Sequence, residues 1–123
     1  MISIIKEKYR LFSDSVITKI QYYNTIENTN CIIGLRSYNW ETNQYDEIEL
    51  IFEDCIFFRF FESIKINSTV ISNALLEKKD GIIILDFFPL YYSDNKIIEN
   101  PDSDFIIKSK NIQIKNSVEF NSQ

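Results

Sequence analysis

The chain has 123 residues, 45% hydrophobic and 15% aromatic, with a net charge of −5 and a sequence pI of about 4.7. That length and apolar content set one domain, residues 1–123, with one packed core, and they exclude a disordered chain. The acidic balance excludes a general nucleic-acid binder, which needs a basic face, and the lack of histidine excludes Ser-His-Asp and Cys-His catalysis and the usual zinc sites.

The first twelve residues place Ile2, Ile5, Tyr9 and Phe12 on one helical face, which predicts a short helix, although Ile2 and Ile4 also fit the start of a strand. Lys6, Glu7, Lys8 and Arg10 break the apolar run, so this is not a signal peptide. No stretch approaches the ~18 uncharged residues of a membrane span. The expected setting is cytoplasmic, with no membrane partner. Cys31 and Cys55 lie inside apolar runs and read as reduced, buried thiols.

Short β-branched and aromatic runs separated by polar clusters then dominate. Residues 15–23 predict a strand, 24–30 a loop, 31–40 a strand and 41–44 a turn. With only two glycines and two prolines, turns fall to Asn, Asp and Ser. Residues 45–53 and the run "CIFFRFFES" that follows read as one strand. At ~3.3 Å per residue it is too long to run straight through a domain of this size, so a bulge or sharp bend is expected near Asp54.

Residues 69–79 predict a helix, with Val70, Ala74 and Leu75 on one face, Lys78 and Lys79 in the last turn, and Gly81 as terminator. Residues 82–92 predict a strand ended by Pro89, residues 105–114 a last strand, and the residues beyond it a frayed terminus. The fold class is therefore mainly β (α+β). We expect an antiparallel, strongly bent sheet, or a sandwich or half-barrel, of six to seven strands with one short helix near 69–79.

Alternation assigns faces. Ile48, Leu50, Phe52, Ile56, Phe58, Phe60, Ile64 and Ile66 should face the core. Phe57, Arg59 and Phe61 should face away. In strand 31–40, Cys31, Ile33 and Leu35 oppose Arg36, Tyr38 and Trp40. Two neighbouring strands would then build one recognition patch of Arg36, Tyr38, Trp40, Phe57, Arg59 and Phe61, the residue types enriched at interface hot spots. Glu41, Asp46, Glu47 and Glu49 would steer the partner onto it. In the alternative, the helix covers this face and Arg59 pairs with Asp86.

Other chemistry is poorly supplied. Gly34 and Gly81 cannot make a glycine-rich phosphate loop. Glu47, Glu49, Glu53, Asp54, Glu62 and Asp86 are available to a carboxylate hydrolase, but alternating Glu on a strand reads as a solvated face. Asn100, Asp102 and Asp104 have calcium-loop spacing. However, Phe105 stands where such a loop needs Gly and Asn111 where it needs Glu. No metal or cofactor is expected.

The stretches "IELIFEDCIFFRFFESIKIN" and "DFIIKSKNIQIKN" resemble small bacterial immunity proteins of polymorphic toxin systems. The resemblance implies a non-enzymatic protein that blocks a cognate toxin, and it assigns no residue roles. The acidic pI fits a basic toxin domain as partner. The expected function is a protein-binding module, monomeric or weakly homodimeric. The alternative is a barrel-like protein whose aromatics enclose a small apolar ligand.

Overall fold

A computed structural model describes residues 1–61, 70–91 and 96–116. The expectations for Glu62, Ile64, Ile66, Thr69 and the terminus beyond residue 116 lie outside the described residues. The elements are α1 (Ile2–Tyr9), β1 (Val16–Asn24), β2 (Thr29–Asn39), β3 (Gln44–Phe60), β4 (Leu75–Lys79), β5 (Ile82–Asp86), β6 (Leu90–Tyr91), β7 (Ile97–Ile98) and β8 (Phe105–Asn116). Six strands form one antiparallel sheet in the order β1-β2-β3-β8-β5-β4, and β6 and β7 form a separate two-stranded hairpin. The mainly-β antiparallel class is as expected. The sheet is neither closed nor strongly curled, so it forms no sandwich or half-barrel.

The short N-terminal helix forms, and the face read from its spacing is the buried one. Ile5, Tyr9 and Phe12 are fully buried and Ile2 is packed against the core. The helix lies over one sheet face and touches both β2 and β4, near opposite sides of the sheet. Beneath it sit Cys31, Ile33, Leu35, Ile48, Leu50, Phe52, Leu76, Leu85 and Ile107. Each such side chain contributes roughly 1.5–3 kcal/mol by leaving water.

The helix predicted at 69–79 is not there. Leu75–Lys79 is strand β4, paired to β5 from Leu75 opposite Asp86 to Lys79 opposite Ile82. Asp80 and Gly81 both have positive φ, 53° and 79°. An Asp-Gly pair in that conformation is the two-residue turn whose twist matches a hairpin. Gly81 is therefore half of a hairpin turn and not a helix terminator.

The irregularity expected near Asp54 is present. Asp54 has φ 54°. Register on β8 runs from Cys55 opposite Ser109 to Phe57 opposite Lys108, so Ile56 is the extra residue of a bulge. The bulge changes which side chains are buried. Ile48, Leu50 and Phe52 are buried as the alternation predicts; Ile56 is 54% exposed, and Phe60 keeps the predicted face against Phe105 but is 44% exposed at the strand end. Phe58 and the partly buried Cys55 are the ones packed against the core.

A short segment, Arg10 to Ser15, joins α1 to β1. Arg10, Phe12 and Asp14 in it have φ of 52°, 56° and 62°, conformations that cost non-glycine residues free energy. It is held by backbone bonds from Asp14 N to Ile71 O and from Ala74 N to Leu11 O, both 2.7 Å.

Gly34 in β2 sits beneath a bulge in β1, where register shifts between Ile17 and Lys19. A Cβ added there would stand 2.8 Å from Thr18 Oγ1 and 2.9 Å from Lys19 Cβ. Gly34→Ala is expected to lower the urea unfolding midpoint, with an unchanged slope, by about 1–3 kcal/mol of stability. A midpoint equal to wild type would show that the β1 bulge yields freely.

Candidate functional site

The β2–β3 turn spans Trp40 to Asn43 between the paired residues Asn39 and Gln44. Asn39 organises it. Its Oδ1 accepts from Glu41 N at 2.9 Å, its carbonyl accepts from Asn43 N at 2.8 Å, and its Nδ2 donates to Asp46 Oδ2 at 2.9 Å. Asp46 Oδ2 also accepts from the Tyr9 hydroxyl at 2.7 Å. Burial, reinforced by the Asp46 carboxylate, pushes the Tyr9 phenol well above its ordinary range. Trp40 N donates to Lys8 O at 2.8 Å. The turn is thus fastened to the C-terminal end of α1.

This fastening gathers a cluster on the open side of the turn. Arg10 lies over the Trp40 ring at 4.1 Å from its centroid. Trp40 meets Tyr38 edge to face at 4.9 Å, and Tyr38 meets Tyr45 likewise at 5.3 Å. Arg36 lies over Tyr45 at 5.2 Å. The order Arg10, Trp40, Tyr38, Tyr45, Arg36 is a continuous run of stacked and edge contacts. Trp40 is 46% and Tyr45 54% exposed.

Sequence reasoning placed Arg36, Tyr38 and Trp40 in this site, and the structure brings those three together. It does not join them to Phe57, Arg59 and Phe61. Tyr45 and Phe57 are twelve residues apart on β3, on the order of 40 Å if straight at ~3.3 Å per residue. Sequence reasoning missed Arg10 and Tyr45. Arg10 is thirty residues from Trp40 and reaches it only because α1 is fastened to the turn. Tyr45 could have been read from register, because a four-residue turn after Asn39 sets it opposite Tyr38.

The steering carboxylates are mostly committed within the fold. Glu49 pairs with Lys19 at 3.1 Å, Asp46 is held by Tyr9 and Asn39, and Glu47 also has a partner. Glu41 sits in the turn and is exposed. Of the four other carboxylates of the hydrolase reading, Glu62 lies outside the described residues, Glu53 is engaged by Gln113 Nε2 at 2.8 Å and Asp86 by backbone N–H groups, and Asp54 is exposed at the β3 bulge.

At the far end, Arg59 and Asp86 do share a face, in a row that runs Leu75, Asp86, Ile106, Arg59 across β4, β5, β8 and β3. They do not pair with each other. Arg59 Nη1 donates to the carbonyls of Pro101 and Ser103, both at 3.1 Å. Asp86, fully buried, accepts from Phe88 N at 2.9 Å and Asn100 N at 2.7 Å. Lys108 reaches Glu99 at 2.7 Å. Each end of the row grips the 99–103 loop, and a loop does the covering that a helix was expected to do. Asn100, read as a calcium-loop position, is part of this clamp: its Oδ1 accepts from Asp102 N at 2.9 Å.

Beside the turn lies an open groove of about 510 Å³ lined by Lys8, Tyr9, Asn39, Gln44, Asp46 and Lys115 among others. Its lining mixes polar side chains with Ile48 and Ile114 and has Tyr9 as its one aromatic, unlike the aromatic cavity of the apolar-ligand reading. Among the described residues no three His, Cys, Asp or Glu side chains cluster as metal ligands. No described helix is long and apolar enough to cross a membrane. No family model, no curated protein and no solved structure matches the chain.

Asp86→Ala removes the acceptor of the Phe88 and Asn100 N–H groups from a fully buried position and should cost about 3 kcal/mol in urea unfolding, and Arg59→Ala should cost less. An unchanged midpoint for Asp86→Ala would disprove the clamp. The thiols give a pH dependence. Burial, the largest cause in each, pushes Cys31 from its ordinary 9.0 up to about 12 and Cys55 up to about 11. The unfolded chain releases these protons near pH 9 and the folded chain holds them. Their contribution is whole below pH 9 and is lost as pH rises towards 12. The urea midpoint should fall over that window, and less steeply in Cys31→Ala.

Proposed function

We propose that the chain is a non-enzymatic protein-binding module that acts by occlusion, an inhibitor of the immunity-protein kind, and that it meets its partner with the β2–β3 turn. One observation carries this reading. Trp40 and Tyr45 are about half exposed yet held in fixed orientation by their neighbours. Large aromatic side chains are costly to hold in water and are the typical anchors of protein interfaces. Pre-orientation lowers the entropy lost on binding. Trp40 and Phe57 are both exposed, 46% and 40%, which favours a partner surface over a bound apolar ligand.

Arg59 and Asp86 have no direct part in this function; they position the 99–103 loop. Trp40, Tyr45 and Arg36 are the anchors. The test is native mass spectrometry of tagged protein purified gently from its source cells, wild type beside Trp40→Ala and Arg59→Ala. Wild type and Arg59→Ala should retain a stoichiometric protein partner. Trp40→Ala should lose it, through a weakening of more than about 2 kcal/mol. Equal retention by Trp40→Ala, with its urea midpoint near wild type, would reject the turn as the interface. A small retained mass in place of a protein would reject the function.

A further inference from the structure

The site also carries information on the chemistry of the partner. Arg10 and Arg36 bracket the aromatic run, each with its guanidinium over a ring, 4.1 and 5.2 Å from the centroid. A guanidinium that meets a ring with its flat face keeps its N–H edge, five donors in a fixed fork, for an anion. Neither guanidinium has a carboxylate oxygen within 4.0 Å among the described residues, although Glu47 stands opposite Arg36 in register. The surroundings add positive charge. Lys6 and Lys8 occupy the last turn of α1, and Lys8 and Lys115 line the adjacent groove. The Asp46 carboxylate in that groove is already bound by Tyr9 and Asn39. Arg10 is held in place with φ 52°, a backbone state that persists only where the surroundings impose it.

We propose that the partner surface meeting this cluster is acidic, with Asp or Glu side chains seated in the forks of Arg10 and Arg36 and apolar atoms against Trp40 and Tyr45. This rests on the protein-binding reading above, and it reverses the basic partner that net charge alone predicts. An aromatic-stacked arginine suits a carboxylate because two parallel N–H···O bonds form without moving the guanidinium. A nucleic acid would present the same anionic chemistry. The oligouridylate arm of the experiment below separates the two, since phosphate contacts carry the steeper salt dependence.

Trp40 is the chain's only tryptophan, so its fluorescence reports on this cluster alone. The experiment titrates the full chain with hexaglutamate, hexalysine and a six-residue oligouridylate at low and high salt. Hexaglutamate should give a saturable change that weakens at high salt. Arg10→Gln and Arg36→Gln should each weaken it about tenfold, the scale of one charged hydrogen-bond pair. Arg36→Lys should weaken it nearly as much, because it keeps the charge and loses the fork. A change with hexalysine, or one stronger with oligouridylate, overturns the acidic partner, as does silence from hexaglutamate up to millimolar concentration. Any of these combined with partner loss by Trp40→Ala in native mass spectrometry sinks only the charge assignment. Partner retention by Trp40→Ala sinks the interface itself.

Discussion

The pairing of β3 with β8 is the constraint on which the rest of the molecule depends. β3 has seventeen residues and pairs with β2 along its first half and with β8 from Ile48 to Phe60. A strand of that length cannot stay flat and keep one face buried, because twist carries its ends out of a common plane. The positive φ at Asp54 and the extra Ile56 divide it into two segments. The first buries Ile48, Leu50 and Phe52 under α1. The second sets Phe58 against Phe105 and turns Phe57 and Arg59 to the other face. Everything distinctive about the two ends of the molecule follows from that division.

The far end then needs a cover for its second face. Ile84 and Ile106 lie there and are buried, and Asp86 beside them is fully buried. A lone buried carboxylate would be prohibitively desolvated. Two backbone N–H groups solve this and fix the loop in the same step. The arginine amid four phenylalanines has the complementary task, because its donors meet the carbonyls of Pro101 and Ser103 in the same loop. This is why Arg59 and Asp86 interrupt their apolar runs in matching fashion without touching. They are opposite-polarity hooks for one loop.

Much of this was legible in the sequence, and the failures have physical causes. Alternation in Cys31–Leu35 and Ile48–Phe52 gave the core face because both segments pack on one side only. The bulge was legible from length. What it does to Ile56 was not, since the extra residue could have been accommodated at several positions. The helix expected at 69–79 failed because Val70, Ala74 and Leu75 happen to share helical spacing. The stronger signal, Asp80-Gly81 between two apolar runs, was a hairpin turn. The candidate site was half legible. Arg36, Tyr38 and Trp40 alternate on one strand, whereas Arg10 arrives through a tertiary contact with no local trace.

The separation of the two arginine-aromatic groups also changes what the acidic composition means. A net charge of −5 describes the molecule at long range and governs encounter. Contact at the turn is decided over a few ångströms, where screening by water and salt makes distant charges nearly irrelevant. There, Glu49 and Asp46 are already committed to Lys19, Tyr9 and Asn39, while Arg10 and Arg36 lie over ring faces with no ion pair among the described residues. A guanidinium so placed has given up part of its hydration without gaining an anion. On the proposal of an acidic partner, the turn accepts negative charge at Arg10 and Arg36 on a protein that is acidic overall. Global and local charge point in opposite directions, and for an interface a few side chains wide the local one governs.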